Sequence, residues 1–182
     1  MRRKQLVLAF AVASLTLALI ATIALGGDKS HMKASLTGYE EVPAVSSMAH
    51  GDFVATIDDE NRVVTYTLTL GGTWNSSLLF AHIHLGQRTA NGMVMTFLCG
   101  GGTKPTPCPA SGSVSGEIRP ADIQATTQGV LAGEWDEFVS ALRAGVAYAN
   151  VHTASPLGQP GGEIRGQIND KNERSNSGGS DN

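Results

Sequence analysis

The chain has 182 residues, of which 41% are hydrophobic and 16% charged, enough apolar content for one buried core with appended segments. Its 22 glycines favour strands joined by tight turns. Three of the 13 basic residues precede an apolar leader, which leaves 10 against 16 acidic ones in the rest of the chain, a net charge of about −6. Such a surface repels a phosphate backbone, so nucleic-acid binding is excluded.

Residues 1–27 form the leader, with Arg2, Arg3 and Lys4 ahead of an apolar stretch. From residue 6 to residue 25 this stretch is interrupted only by one serine and two threonines. It predicts either a signal peptide or, at about 20 residues, a membrane-spanning anchor. No clean A-x-A cleavage site follows, so both alternatives stay open. In either case the rest of the chain is predicted to be extracytoplasmic, as a secreted or a membrane-anchored protein.

Residues 28–31 are predicted to be a linker, and the folded domain is expected over residues 32–169. Between Arg62 and Leu70 apolar residues alternate with threonines, a pattern typical of a half-buried strand. Segments of similar length recur between turn residues, with predicted strands at Lys33–Leu36, Asp52–Ile57, Arg62–Leu70, Leu78–Leu85, Met93–Leu98, Ser113–Ile118, Val146–His152 and Glu163–Ile168. The fold class is therefore predicted to be all-β, an antiparallel β-sandwich or Greek-key, barrel-like domain of about eight strands.

One short helix interrupts the strands. Trp135, Phe138, Val139 and Leu142 have the i, i+3, i+4, i+7 spacing of a helical apolar stripe, and Gly145 is placed to end the helix. The stripe is interpreted as core. The last segment, residues 170–182, is polar and without apolar periodicity, and it is predicted to be disordered.

The two cysteines, Cys99 and Cys108, flank a loop rich in glycine and proline. A disulfide is predicted here, consistent with an oxidising compartment. Two free structural thiols are the alternative. A metal-thiolate pair is disfavoured because the spacing differs from C-x₂₋₄-C.

Two histidines, His82 and His84, stand two residues apart in a predicted strand, so both lie on one face. The intervening and flanking residues, Leu79, Ala81, Ile83 and Leu85, are predicted to face the core. In the strand near residue 150, a small apolar face made by Ala147, Ala149 and Val151 leaves Tyr148, Asn150 and His152 on the opposite side.

If these two strands are close in space, His82, His84 and His152 could hold a copper or zinc ion. Acidic side chains that could complete the coordination are Glu40, Glu41 and Glu163. The alternative is that the histidines only form hydrogen bonds. His31 and His50 lie in the linker and near a turn, and neither is a favoured ligand.

Several segments resemble the CHRD (chordin-type) domain family. They are Leu36-Thr37-Gly38-Tyr39-Glu40-Glu41-Val42-Pro43, then Ala81-His82-Ile83-His84-Leu85-Gly86, and finally residues 147–153 and 160–168. The resemblance covers about residues 32–169 and implies an all-β extracytoplasmic module. Because chordin binds growth factors, it also implies a binding role and an extracellular protein partner. It places His82, His84 and His152 inside family motifs, together with Glu41, Glu163 and Arg165.

A looser likeness to copper-zinc superoxide dismutase rests on the H-x-H strand and the nearby disulfide. With five histidines in all, the chain cannot supply that enzyme's dinuclear site. Separately, Gly-Glu-Ile-Arg occurs at residues 116–119 and again at 162–165. This repeat is interpreted as two strand-edge ion pairs between glutamate and arginine.

Three functional hypotheses follow. The leading one is a non-enzymatic extracytoplasmic binding module with a mononuclear copper or zinc site. The second is a metal-free adhesion or envelope protein-interaction domain. The third is a mononuclear copper enzyme that acts on superoxide or a similar small oxidant, which would require an open coordination position.

Overall fold

The computed structural model of the protein describes residues 30–154 and 162–168. The predicted leader and tail lie outside these residues. The described chain contains eight strands: β1 (Ser30–Thr37), β2 (His50–Asp58), β3 (Val63–Gly71), β4 (Leu78–Leu85), β5 (Met93–Cys99), β6 (Gly112–Ile118), β7 (Ala147–Thr153) and β8 (Ile164–Gln167). One helix, α1 (Trp135–Ala144), and two 3-10 turns at Gly38–Glu40 and Pro120–Asp122 complete it.

The strands form one antiparallel sheet in the order β5-β4-β7-β8-β1-β2-β3-β6, which curls into a nearly closed barrel. The two edge strands, β5 and β6, approach each other at the seam. There the Tyr66 hydroxyl donates to the Leu98 carbonyl at 2.6 Å, and the Gln124 amide donates to the Met95 carbonyl at 2.8 Å. These bonds cover backbone groups that an open edge would leave unpaired. The predicted all-β, barrel-like fold is confirmed.

Strands β1, β2 and β3 alternate between the core and solvent, except at the start of β3, where Val63 and Val64 are both buried. In β3 the apolar side chains are buried in the barrel while threonines point outward, as the period-two pattern predicts. Strand β1 begins at Ser30 and pairs along its whole length with β2. Ser30 and His31, predicted as linker, are therefore part of the first strand.

Helix α1 buries the predicted stripe, since Trp135, Phe138, Val139 and Leu142 all belong to the hydrophobic core. Gly145 ends the helix in the left-handed conformation, with φ of 70°, and its amide donates to carbonyls of the last turn. In the described part of the chain, no helix is long and apolar enough to cross a membrane.

Strands β4, β7 and β8 differ from the first three strands. Every residue of β7 and β8 is buried, so both faces of these strands are covered. In β4, Ala81 and Ile83 face the core as predicted, and Leu85 packs against it. Leu79 is 38% exposed instead, because the pairing of β4 with β7 shifts register between Leu78 and Phe80. The prediction that Leu79 faces the core was wrong.

Candidate metal centre

Adjacent strands β4 and β7 bring the predicted histidines together on the outer face of the barrel. Their pairing sets Phe80 opposite His152, and His82 opposite Asn150. The small inward residues of β7 pack in the core, as predicted, so its larger polar side chains point outward. The histidine face is covered rather than solvated: His82 is 3% exposed and His152 5%.

The three imidazoles converge. His82, His84 and His152 each offer a ring nitrogen, and these three atoms lie within 4.8 Å of one another. The ring centroid of His82 is 4.4 Å from that of His84 and 4.7 Å from that of His152. Such a cluster could hold one metal ion after small side-chain adjustments.

The backbone fixes the tautomer of His84. Its Nδ1 atom lies 2.8 Å from the carbonyl oxygen of Gly92. Because a carbonyl only accepts, Nδ1 carries the proton and donates it, which leaves a lone pair on Nε2. Nε2 is buried and has no hydrogen-bond partner among the described residues. A histidine held by one nitrogen with the other free is the usual arrangement of a metal ligand.

The environment keeps the imidazoles of His82 and His84 neutral. Burial lowers the pKa of His82 to about 2, and the charges that His84 and His152 would carry add to this effect. Burial also lowers the pKa of His84 to about 4, although its hydrogen bond to Gly92 acts in the opposite direction. Neutral imidazole is the form that binds a metal ion, so no proton has to leave at neutral pH.

Aromatic rings surround the cluster. The Phe80 centroid lies 4.9 Å from that of His152 and 5.3 Å from that of His82, and the Phe97 centroid lies 5.4 Å from that of His82. Phe97 packs on Gly101 and Gly102, where an added Cβ would come within 2.5 Å of its ring. These glycines are therefore needed for close packing as well as for turning the chain.

The loop that carries these glycines is closed by the disulfide between Cys99 and Cys108, as predicted. The disulfide loop thus supports one wall of the histidine cluster through Phe97.

A stack of three side chains covers the other side. The Tyr148 ring lies parallel to that of His84, with centroids 4.5 Å apart and an interplanar angle of 5°. The guanidinium carbon of Arg165 lies 3.4 Å from the Tyr148 centroid, a cation–π contact. Arg165 is 1% exposed.

Arg165 also holds the loop that orients His84. It donates to the carbonyls of Gln87 at 2.7 Å and Ala90 at 3.1 Å, and to the Asn91 side chain at 3.3 Å. The next residue of that loop, Gly92, supplies the carbonyl that fixes His84. Arg165 is therefore a positioning residue for the cluster.

Glu41, a predicted additional ligand, lies on the same covered face but outside the cluster. Its Oε1 accepts a hydrogen bond from the Asn150 amide at 2.8 Å. Burial raises its pKa to about 8, while the Asn150 bond and the charge of Arg165 act to lower it. Its Oε2 atom has no partner among the described residues.

Glu163, the other predicted additional ligand, is bonded to a different set of groups. Its Oε1 accepts from Ser47 at 2.8 Å and from the amide and side chain of Asn75 at 2.9 and 3.0 Å. Its Oε2 accepts from Thr153 at 2.6 Å. Glu163 thus fastens two loops to β7, and four donors occupy its oxygens.

The remaining candidates lie apart from the histidine cluster. Glu40 forms an ion pair with Arg88. The Nδ1 atom of His31 lies 3.2 Å from the Thr56 hydroxyl, and His50 begins β2 beside Gly71.

The repeated Gly-Glu-Ile-Arg segment gives a mixed outcome. Glu117 and Arg119 form the predicted ion pair at 2.8 Å. Glu163 and Arg165 do not pair with each other. Glu163 bonds to the loops at residues 47 and 75, and Arg165 bonds to the loop at residues 87–91.

Sequence reasoning did not assign roles to the supporting residues Phe80 and Phe97, and it placed Arg165 in an ion pair rather than behind the cluster. The positions of Phe80 and Tyr148 can be read from the strand alternation, since both share a face with a histidine. The location of Phe97 and of the loop over Arg165 depends on which strands become neighbours, and no local pattern signals that.

The arrangement defines the class of the molecule: an antiparallel β-barrel whose outer face carries a buried histidine cluster. The sequence model of the CHRD domain matches residues 32–168, which is most of the chain. The chain therefore belongs to the CHRD domain family, in agreement with the resemblance of its motifs. Searches of curated proteins and of solved structures each found no match.

Proposed function

We propose that this CHRD-domain protein is an exported, non-enzymatic binding module that holds one copper or zinc ion with His82, His84 and His152. The observation that carries the proposal is the convergence of three ring nitrogens within 4.8 Å in a buried position. Nitrogen ligands from imidazole suit both ions.

The chemistry of the cluster favours metal binding over hydrogen bonding alone. A buried polar atom without a partner is unfavourable, and a metal ion bound to Nε2 of His84 would remove that penalty. Because their pKa values are lowered, His82 and His84 need not lose protons before they bind a metal ion. The ring orientation of His84 is already set by Gly92, so little entropy is lost on coordination.

Binding is favoured over catalysis because the cluster is enclosed. His82 and His152 are almost fully buried, and aromatic rings flank them. A copper enzyme would need an open coordination position and a path for its substrate.

An extracytoplasmic location is part of the proposal. Disulfides persist in oxidising compartments, and Cys99 and Cys108 form one. The apolar leader supplies the means of export, as a cleaved signal peptide or a membrane anchor.

Metal content tests the proposal. The full chain is produced through an oxidising compartment, loaded with copper or zinc, desalted, and its metal is quantified. We expect about one equivalent in the wild type and almost none in a His82→Ala/His84→Ala/His152→Ala variant. The matched control is His31→Ala/His50→Ala, which also removes histidines but leaves the cluster intact.

Loss of metal in the control, or no stoichiometric metal in the wild type, would contradict the proposal. The second result would leave the metal-free adhesion or envelope-interaction domain, with an extracellular protein partner to be sought.

A further inference from the structure

We infer that the cluster of His82, His84 and His152 selects monovalent copper over divalent zinc or copper. The inference rests on the proposed metal site and names the ion that this site takes. Three features carry it: the charge of the ligand set, the buried guanidinium behind it, and the enclosure of the coordination sphere.

The ligand set has no negative charge. The cluster consists of three histidines, and no carboxylate among the described residues belongs to it. Glu163 is occupied by four hydrogen-bond donors, and Glu40 is paired with Arg88. Glu41 is bonded to Asn150 and lies outside the cluster. A divalent ion would therefore bring two positive charges into a buried site without adding a counter-charge, whereas Cu⁺ would bring one.

A buried positive charge lies behind His84. Arg165 is 1% exposed and stacks on Tyr148, which in turn stacks on His84. Its positive charge therefore lies on the side of the cluster that Tyr148 and His84 form. Coulomb repulsion disfavours a bound cation there, and the repulsion is twice as large for a divalent ion as for a monovalent one.

Aromatic side chains enclose the three ring nitrogens of the cluster. Phe80 lies against His82 and His152, Phe97 lies against His82, and Tyr148 covers His84. Zinc prefers four ligands and, when a protein supplies three, completes its shell with water. Cu⁺ is stable with three nitrogen ligands and no water. The enclosure therefore matches Cu⁺ better than ions that require a fourth ligand.

The test compares affinities for Cu⁺ and Zn²⁺ in the full chain. Cu⁺ is titrated without oxygen and in the presence of a reductant, against a chromophoric Cu⁺ chelator, and Zn²⁺ against a zinc chelator. We expect one equivalent of Cu⁺ with three nitrogen ligands by X-ray absorption. We also expect Zn²⁺ and Cu²⁺ to bind more weakly than Cu⁺.

Two variants separate the physical causes. Phe80→Ala opens one wall to water and should shift the Cu⁺-to-Zn²⁺ affinity ratio towards zinc by about tenfold. Leu79→Ala is its matched control, since Leu79 lies on the same strand but is partly exposed. Arg165→Gln should shift the ratio in the same direction by about tenfold, while Arg165→Lys, which keeps the charge, should shift it less.

The outcomes are distinguishable. Zn²⁺ or Cu²⁺ bound by the three histidines at least as tightly as Cu⁺ would overturn this inference and leave the metal site standing. An affinity ratio that stays unchanged in Phe80→Ala would also overturn it. Because this variant keeps the buried arginine, the inference can still be tested if Arg165→Gln fails to fold. Absence of any ion on the histidines would remove the proposed function itself.

Discussion

Two segments with the same sequence, Gly-Glu-Ile-Arg at residues 116–119 and 162–165, lie in opposite environments. In both, the isoleucine is fully buried in the barrel. In the first, on edge strand β6, the glutamate and arginine side chains are 53% and 54% exposed and bond to each other. In the second, Glu163 and Arg165 are buried and bond to separate loops. The strands and loops that surround each segment, and not its local sequence, therefore determine which groups its charged side chains contact.

The same contrast extends over the whole outer face. Across β3 and β6 the outward side chains form a ladder of exposed hydroxyl pairs, Thr67 with Ser115 and Thr69 with Ser113, each at 2.8 Å. Across β4, β7 and β8 the outward side chains form the covered histidine cluster and its supports. One half of the barrel thus has a polar outer face that is exposed to solvent, while the polar outer face of the other half is buried.

The largest expected effect that separates these halves is an acid-dependent loss of stability. The pKa values of His82 and His84 lie far below the ordinary value of 6.5, so the unfolded chain binds more protons than the folded one. Their contribution is complete above about pH 6.5 and is lost as the pH falls through about 4 for His84 and about 2 for His82. We expect the unfolding free energy of the metal-free protein, measured with denaturant, to fall steeply over that range.

A His82→Gln/His84→Gln variant should show a much smaller fall in unfolding free energy at acid pH, and an unchanged fall would contradict this account.

Glu41 acts with the opposite sign, because its pKa of about 8 lies above the ordinary 4.5. Its contribution is present below pH 4.5 and lost as the pH rises through 8. Glu41→Gln should therefore remove a decline in stability between about pH 4.5 and pH 8.

The two arginines of the repeated segment give the next largest contrast. Arg165→Met should lower the unfolding free energy by about 3 kcal/mol, because it removes buried charge-assisted hydrogen bonds and the contact with Tyr148. Arg119→Met removes only an exposed ion pair and should change it by less than about 1 kcal/mol. Urea unfolding of both variants measures the difference, and equal losses would refute the distinction between the two halves.

Two glycines sharpen the comparison with a smaller effect. Gly162 and Gly112 both have φ of 106°, so alanine suffers the same backbone strain at either position. An added Cβ at Gly162 would lie 2.3 Å from the Asn150 side chain, whereas at Gly112 it would meet nothing within 4 Å. Gly162→Ala should therefore be less stable than Gly112→Ala by about 1–2 kcal/mol in thermal or urea unfolding. No difference between them would mean that Asn150 is not tightly held.

The solvated half of the barrel could be predicted closely from the sequence. The alternation in β3 and the spacing of Trp135, Phe138 and Leu142 each reflect one burial direction, which a local pattern records. In the covered half, the H-x-H spacing likewise placed His82 and His84 on one face, and the apolar residues of β7 placed His152 outward.

The covered half could be predicted only in part. Both faces of β7 and β8 are buried, so alternation there gives the direction of a side chain but not whether that side chain is covered. The roles of Arg165 and Glu163 depend on loops distant in sequence, with Gln87 and Ser47 as partners. Leu79 was misassigned because a register shift in β4 breaks the period of two.

Nitrogen NMR of the imidazole rings tests the central claim most directly, since protonated, lone-pair and metal-bound nitrogens have distinct shifts. In the metal-free protein at neutral pH, we expect His84 to be neutral with its proton on Nδ1. One equivalent of Cu⁺ or Zn²⁺, both diamagnetic, should shift one nitrogen in each of His82, His84 and His152, with Nε2 as the nitrogen in His84. The resonances of His31 and His50 should stay in place. Shifts confined to His31 or His50, or no shift in any of the three clustered histidines, would contradict the account.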